Sequence, residues 1–222
     1  MLFRSCFSRL DRFGTVTTED LGRADRQMKR QPGEFLLGCV GEITQRKGQL
    51  YLIQAMRRIV AEVPNLRLVL LGRSNPYDQY TKNLRQLIAD AGLEQHVRWL
   101  GMRNNVEDYL SALDLTVVPS IEEPLGLVAL ESLAAGTPVI ASRTGGLPEI
   151  IDHEKTGLLV PPANPQAIEN AVVRLAQSAE TRQQMGDAGR LMVSDRFDPE
   201  SLANQVVAKL NVHAGFGIVE QI

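Results

Sequence analysis

The sequence predicts an α/β protein built on a three-layer parallel sheet, and three observations support this class. Short segments that are β-branched or continuously apolar recur along the chain, as in strands buried on both faces. Longer segments with apolar residues at helical spacing lie between them. Glycine or proline separates most of these segments. Strands and helices that alternate in this way form βαβ units, and such units build a parallel sheet.

Six strands are predicted, one at each short apolar segment: 35–41, 66–72, 97–100, 114–118, 139–142 and 156–160. Helices are predicted between and after them: 50–63, 84–91, 124–135, 147–150, 167–176, 180–194 and 199–210. By the same patterns, residues 1–33 are a leader and linker, residues 34–210 are the α/β domain, and residues 211–222 are a tail. Residues 14–33 in particular are polar and lack a clear period, which favours a linker.

The composition of the 222-residue chain is that of an ordinary globular protein, with 44% hydrophobic and 23% charged residues. A net charge of −2 argues against a general nucleic-acid-binding role. Cys6 and Cys39 are too few for a disulfide framework and lack the spacing of metal ligands, which fits a reducing compartment. No apolar run is long enough to span a membrane, and no secretory signal is evident. We therefore expect a cytoplasmic protein.

The N-terminal segment, residues 1–13, has two interpretations. Apolar residues at helical spacing alternate there with arginines: Phe3, Arg4, Cys6, Phe7, Arg9, Leu10, Arg12 and Phe13. A basic amphipathic helix of this kind suits peripheral contact with the inner face of a membrane, or with a partner protein. The alternative, which we favour, is that the segment packs on the domain or frays, because it is too short to be a stable helix alone.

The segment after the fourth predicted strand carries most of the candidate chemistry. Pro124 suits the first turn of a helix, where its missing N–H has no partner to lose. The N–H groups of Leu125, Gly126 and Leu127 would then be unpaired at the helix N-terminus, which favours an anion such as phosphate. Because Gly126 has no side chain, a ligand can approach its backbone closely.

Two glutamates lie on either side of these donors. Glu123 is expected in the loop above the strand's carboxyl end, and Glu131 about two turns into the helix. Ligands of an open parallel sheet bind outside the carboxyl ends of its strands. N–H groups that donate hydrogen bonds to phosphate, with a carboxylate on each side to accept them from hydroxyls, fit a nucleotide-sugar. The alternative is that Glu122 and Glu123 only complement the helix dipole, while Glu131 faces solvent.

Residues 123–131, Glu-Pro-Leu-Gly-Leu-Val-Ala-Leu-Glu, resemble the signature of the retaining nucleotide-sugar glycosyltransferases of family 4. The resemblance extends from about Phe35 to Leu210 and is to the C-terminal, donor-binding domain. It implies a three-layer, Rossmann-like parallel sheet that is one half of a GT-B fold. It also implies that Glu123 holds hydroxyls of the donor sugar and Glu131 those of the ribose. The family's acceptor domain would be a second Rossmann-like domain, and we expect none in these residues.

The loop from Gly41 to Gly48 is similar to the family's glycine-to-Lys-Gly loop. The similarity implies that Lys47 contacts the donor diphosphate, although a solvated lysine remains the alternative. The family usually has an arginine directly after the first glycine, where this chain has Glu42. An acid near phosphates is repulsive, so tight diphosphate binding would require compensation by Arg46 or Arg73.

Two further loops match the family's pattern. The loop from Gly101 to Asn105 resembles the one beside the nucleobase, which implies a base contact for Arg103; a solvent-facing arginine is equally consistent. Gly145 and Gly146 resemble the Gly-Gly loop near the donor sugar and phosphates, where they would offer free N–H groups. They also suit a tight turn. No Asp-x-Asp is present, so we expect no metal site, and no cofactor besides a UDP-, GDP- or ADP-sugar as substrate.

The sequence therefore predicts a glycosyltransferase that moves a hexosyl group, with retention, from a nucleotide-sugar to a saccharide or lipid-linked acceptor. Glu123 and Lys47 are its predicted catalytic residues; the predicted donor contacts are Glu131, Leu125, Gly126, Leu127, Arg103, Gly145 and Gly146. The alternatives are a non-catalytic nucleotide-sugar-binding module, the donor subunit of a transferase whose acceptor domain is a separate chain, and an inactive truncated product. A nucleotide-sugar epimerase fits less well because such enzymes lack the paired-glutamate helix.

Overall fold

A computed structural model describes residues 10–197 of the chain. At its centre is one sheet of six strands, all parallel, in the order β3-β2-β1-β4-β5-β6. The strands are β1 (Phe35–Val40), β2 (Leu66–Leu71), β3 (Val97–Gly101), β4 (Leu115–Val118), β5 (Val139–Ser142) and β6 (Gly157–Val160). The predicted α/β class, with its Rossmann-like parallel sheet, is confirmed.

Eight α-helices cover the two faces of the sheet within residues 10–197. They are α1 (Thr18–Met28), α2 (Gln49–Glu62), α3 (Gln79–Asp90), α4 (Val106–Ala112), α5 (Leu127–Ala134), α6 (Leu147–Ile150), α7 (Pro165–Ala176) and α8 (Ala179–Phe197). Two 3-10 turns, Leu10–Thr15 and Gln45–Lys47, complete the regular structure. No helix of this part of the chain is both long and apolar enough to cross a membrane.

The core has two layers because successive strand residues point to opposite faces of the sheet. Leu37 packs in the layer under α2, α3 and α7, whereas its neighbour Leu36 packs under α1 and α4. Both leucines are fully buried. Burial on both faces explains why the strands read as continuous apolar runs rather than as alternating ones.

The prediction of a linker at residues 14–33 is wrong, because most of this segment forms α1. Thr17 caps the helix: its side chain accepts from the N–H of Asp20, and the Asp20 carboxylate accepts from the N–H of Thr17. Only Ala24 and Met28 are buried on α1. Leu21 also packs against the core but is only partly buried. Three apolar contacts among charged residues make a narrow stripe, so the helical period is not clear from the sequence.

The attachment of α1 to the domain is partly polar. The Arg23 guanidinium lies 2.6 Å from carboxylate oxygens of both Asp20 and Asp108, the second of which is on α4. The two side-chain hydrogen bonds from Thr17 and Arg23, with one from the backbone, lower the pKa of Asp20 to about 2. The predicted domain boundaries at residues 34 and 210 stay predictions. Residues 1–9 of the amphipathic segment, the helix predicted at 199–210 and the predicted tail lie outside the described residues.

Candidate functional site

The direction of the strand order reverses between β1 and β4, which are neighbours at the centre of the sheet. Ligands of doubly wound sheets bind beyond the carboxyl ends of the strands at such a switch point. The loop after β1 carries Lys47, and the loop after β4 carries Glu123. The topology of the sheet thus brings together two predicted site residues that are 76 positions apart in the chain.

Lys47 and Glu123 form a direct ion pair at this point. The Lys47 Nζ atom lies 2.5 Å from Glu123 Oε2, and Ser120 Oγ donates to the same oxygen at 3.1 Å. The two charged side chains are 21% and 9% exposed, respectively. Removing such charges from water is costly unless each is paired. The pair therefore holds both side chains at the switch point.

The β1 loop fixes one side of the β4 loop. The carbonyl oxygen of Arg46 accepts from the N–H of Ile121 at 2.8 Å. Gly48 lies so close to Pro119 that a Cβ atom at Gly48 would be 2.0 Å from the carbonyl oxygen of that proline. This distance is less than a van der Waals contact, so the close approach requires glycine. It brings Lys47, the preceding residue, against the β4 loop.

The β5 loop fixes the other side. The N–H of Gly146 donates to the carbonyl oxygen of Glu123 at 3.1 Å, and Thr144 Oγ1 donates to that of Ile121 at 3.0 Å. A Cβ atom at Gly145 would lie 2.0 Å from the Glu123 carbonyl oxygen. The expectation that both glycines offer free N–H groups is therefore wrong for Gly146. The Gly-Gly pair instead lets the β5 loop pack against the backbone of Glu123.

The helix after Glu123 begins later than predicted. Residues before Leu127 are not helical, so Pro124 lies in the loop and not in the first turn of α5. Gly126 precedes the helix with φ of 69°, a left-handed conformation that suits glycine. Its N–H points to Glu123 Oε1 at 3.4 Å. The N–H groups of Leu125 and Leu127 donate no hydrogen bond within residues 10–197, so two of the three predicted donors are available.

Glu131 lies on α5 and is half-buried. The position of this helix is fixed by its neighbour Ser132, which is fully buried. Ser132 Oγ donates a hydrogen bond of 2.8 Å to Thr116 Oγ1 on β4 and approaches the carbonyl oxygen of Thr137 at 3.0 Å. These contacts fix the rotation of α5 relative to the sheet. Glu131 is therefore presented from a rigid element rather than from a loop.

Glu42, the departure from the family's arginine, pairs with Arg73 from the β2 loop. Arg73 Nη2 and Nε lie 3.0 Å and 3.2 Å from Glu42 Oε1. The side chains are 73% and 48% exposed, and a surface ion pair of this kind contributes at most about 1 kcal/mol. Of the two arginines considered as compensation, Arg73 is the one that neutralises Glu42.

Arg103 lines a cleft of about 240 Å³ between the β3 loop and α1. Its Nη1 atom donates to the carbonyl oxygen of Met102 at 2.9 Å. The other side of the cleft includes Arg23 and Gln27 of α1. A linker at residues 14–33 would not place these two side chains beside Arg103, so the sequence prediction does not include them. The spacing of Thr17 and Asp20, typical of a capping box, was the available signal for this helix.

The fold is an open, parallel α/β sheet with helices on both faces, and its loops meet at a switch point, which is where sheets of this class bind their ligands. Comparison of the sequence with models of known protein families identifies the family. The chain belongs to the glycosyl transferases group 1 family, whose family model matches residues 23–192. This match includes every predicted site residue and most of α1.

Among its relatives, the chain is similar to the N-acetyl-α-D-glucosaminyl L-malate synthase of Bacillus anthracis. The two are 31% identical over 183 residues, which cover 81% of this chain and 47% of the relative. The chain spans about half the length of the curated relatives it matches.

Two solved structures show the same fold. The Anabaena protein HepE, solved in complex with UDP, has a TM-score of 0.80 and 27% identity over 88% of this chain and 53% of that one. The C-terminal domain of the group 1 glycosyl transferase LpcC from Francisella tularensis has a TM-score of 0.72 and 30% identity, over 79% of this chain and 93% of that domain. The described residues therefore have the fold of a C-terminal GT-B domain.

Proposed function

We propose that this chain binds a nucleotide-sugar at the carboxyl edge of its sheet and serves as the donor half of a retaining glycosyltransferase. The observation that carries the proposal is the Lys47–Glu123 pair at the switch point. Its glutamate, Glu123, lies on the loop after β4, which also holds the available N–H groups of Leu125 and Leu127. A cation and backbone donors suit a diphosphate, and a carboxylate beside them suits sugar hydroxyls.

In the proposed reaction, the bond between the anomeric carbon and the diphosphate oxygen breaks, and its electron pair goes to the diphosphate. Lys47 and the two N–H groups stabilise the charge that develops there. The acceptor hydroxyl oxygen bonds to the same face of that carbon, and its proton goes to the leaving phosphate oxygen. Glu123 holds the sugar hydroxyls, Glu131 holds the ribose hydroxyls, and Arg103 contacts the base.

The relatives narrow the substrates only in part. HepE was solved with UDP, which supports UDP as the first nucleotide to test before GDP and ADP. The acceptor class we propose is a saccharide or a lipid-linked precursor, as in polysaccharide biosynthesis in the cytoplasm. The name of the Bacillus anthracis relative contains L-malate, so a small hydroxy acid belongs among the acceptors to be tested.

A second candidate function is nucleotide-sugar binding without transfer, either as a separate module or as the donor subunit beside an acceptor-domain chain. One observation favours keeping it: residues 10–197 assemble the ion pair, the Gly-Gly contact and the α5 N-terminus by themselves. Donor binding by this chain then needs no second domain, whereas transfer does need an acceptor site.

Calorimetric titration with UDP, GDP and ADP tests the proposal. We expect saturable binding of one of the three, weakened by about 1–3 kcal/mol in Glu131→Ala through loss of the ribose acceptor. Glu62→Ala is the control, because Glu62 is an exposed carboxylate at the end of α2 that lies away from Lys47; its affinity should equal that of the wild type. A folded chain that binds none of the three nucleotides would refute the proposed function, and equal affinities of both variants would remove the role of Glu131.

The substitution Glu42→Arg is expected to strengthen nucleoside diphosphate binding. It removes a negative charge from the loop that holds Lys47, and it releases Arg73 from its ion pair. Like-charge repulsion in a solvated site is modest, so we expect a gain in UDP affinity of about three- to tenfold. Uridine, which has no phosphate, is the control ligand. An unchanged UDP affinity would show that this loop does not face the diphosphate.

A further inference from the structure

The loop that carries Lys47 is held from inside by a buried glutamine. Gln49, the first residue of α2, is 1% exposed. Its Nε2 atom donates to the carbonyl oxygen of Glu42 at 2.9 Å, and its Oε1 atom accepts from the hydroxyl of Tyr80 at 3.4 Å. The Tyr80 oxygen in turn accepts from the N–H of Leu50 at 3.1 Å. Neither Gln49 nor Tyr80 belongs to the motifs identified in the sequence.

In each of these three hydrogen bonds, only one assignment of donor and acceptor is possible. A tyrosine hydroxyl has one proton, and since its oxygen already accepts from Leu50, that proton is available to Gln49. The amide oxygen of Gln49 must therefore face Tyr80, which turns its NH₂ group to Glu42. Burial raises the pKa of Tyr80, so the hydroxyl keeps this proton at neutral pH. Aligned hydrogen bonds of this kind strengthen one another.

The bond from Gln49 to Glu42 closes a ring of eight residues, 42–49, and Lys47 lies within it. Further hydrogen bonds pack the ring tightly: the N–H of Lys47 donates to the carbonyl oxygen of Thr44 at 3.0 Å, and the N–H of Ile43 to that of Arg73 at 2.9 Å. Without the glutamine amide, the Glu42 carbonyl would lose its buried donor, and the ring would no longer be closed between its two ends.

We propose that Gln49 and Tyr80 are positioning residues for diphosphate binding. They hold the 42–49 loop in the conformation in which Lys47 contacts Glu123 and would contact the diphosphate. The identity of the ligand, a diphosphate, rests on the proposed function. The contact between Gln49 and the Glu42 carbonyl oxygen does not depend on it. Tyr80 is on α3, where Asp78 Oδ1 accepts from its N–H at 2.9 Å. These hydrogen bonds therefore link the loop after β1 to the helix after β2 through the buried side chain of Gln49.

Three variants test this inference. Gln49→Met keeps the length of the side chain and removes its hydrogen bonds, whereas Tyr80→Phe removes only the hydroxyl. Gln86→Met is the matched control, because Gln86 is exposed on α3 and bonds only to Asp90. We expect UDP affinity to fall about tenfold in Gln49→Met and about threefold in Tyr80→Phe, since each loses buried hydrogen bonds. Uridine affinity should stay within about twofold of the wild-type value in all three variants, since only the contacts to the phosphates involve the 42–49 loop.

A merely structural role would change UDP and uridine affinity by the same factor, and that result would overturn the inference. Amide hydrogen exchange without ligand separates it from the proposed function. In Gln49→Met, amides of residues 42–48 should exchange about tenfold faster, while amides of the β3 loop, residues 101–105, keep their rates. Unchanged exchange at 42–48 would overturn the inference even if UDP binds. Faster exchange there in a protein that binds no nucleotide would support the loop contact and refute the proposed function instead.

Discussion

Replacing Gly145 with alanine is expected to destabilise the protein by about 2–4 kcal/mol and to abolish nucleotide binding. Two effects add. Gly145 has φ of 51°, a left-handed conformation that costs a residue with a side chain about 1–2 kcal/mol. The new Cβ atom would also lie 2.0 Å from the Glu123 carbonyl oxygen. Because that contact is to backbone, relief requires the β5 loop to move away from the loop that carries Glu123.

Gly92→Ala is the matched control for this experiment. Gly92 has a similar φ of 66°, yet a Cβ atom there would meet nothing within 4 Å. It should cost about 1–2 kcal/mol from the backbone alone and leave nucleotide affinity unchanged. Denaturant unfolding and calorimetric titration of both variants provide the two readouts. If Gly145→Ala were no more destabilising than Gly92→Ala and bound nucleotide normally, the close contact between the β4 and β5 loops would not be important for the site.

The substitution Lys47→Met is expected to lower the free energy of unfolding by about 2–3 kcal/mol and to remove most diphosphate affinity. The stability loss arises because Glu123, whose side chain is 9% exposed, would lose the cation that compensates for its burial. The affinity loss arises because Lys47 is the proposed diphosphate cation. The double variant Lys47→Met/Glu123→Gln removes both charges, so it should regain most of the stability and none of the affinity.

The exposed ion pair of Arg73 and Glu42, at the same edge of the sheet, is the control for the less exposed pair of Lys47 and Glu123. Arg73→Met should change the free energy of unfolding by less than about 1 kcal/mol, because its partner Glu42 is 48% exposed and stays solvated without the arginine. Denaturant unfolding of the wild type, Lys47→Met, Glu123→Gln and the double variant measures the coupling between Lys47 and Glu123 directly. A Lys47→Met variant as stable as Arg73→Met would show that the 2.5 Å pair is not maintained in solution.

The sheet could be predicted well because its strands are buried on both faces and therefore appear as uninterrupted apolar runs. The helix α1 could not, since it packs only Leu21, Ala24 and Met28 on the core and has polar contacts such as that of Arg23 with Asp108 beside them. The start of α5 depends on the left-handed backbone of Gly126 rather than on the preference of Pro124 for a first turn. Propensity at one position does not reveal the backbone angles of the next two.

The site could be predicted as a set of residues but not as an arrangement. Lys47 and Glu123 were each identified from a loop, yet their direct contact depends on β1 and β4 being neighbours in the sheet. Gly145 was selected for its N–H group, whereas the structure uses the absence of its side chain. Gln49 was missed because a glutamine after a Lys-Gly pair has no distinctive pattern, and its importance appears only from its burial and partners.

We propose that a nucleoside diphosphate binds at the switch point between β1 and β4. Backbone amide chemical shifts, followed during titration with UDP, GDP or ADP, test this most directly. We expect the largest saturable shifts, with one of these nucleotides, at the amides of Lys47, Leu125, Leu127 and Gly145. Saturable shifts confined to other regions, such as α8 at the opposite end of α5, would contradict it. So would the absence of any shift in a folded chain at millimolar nucleotide.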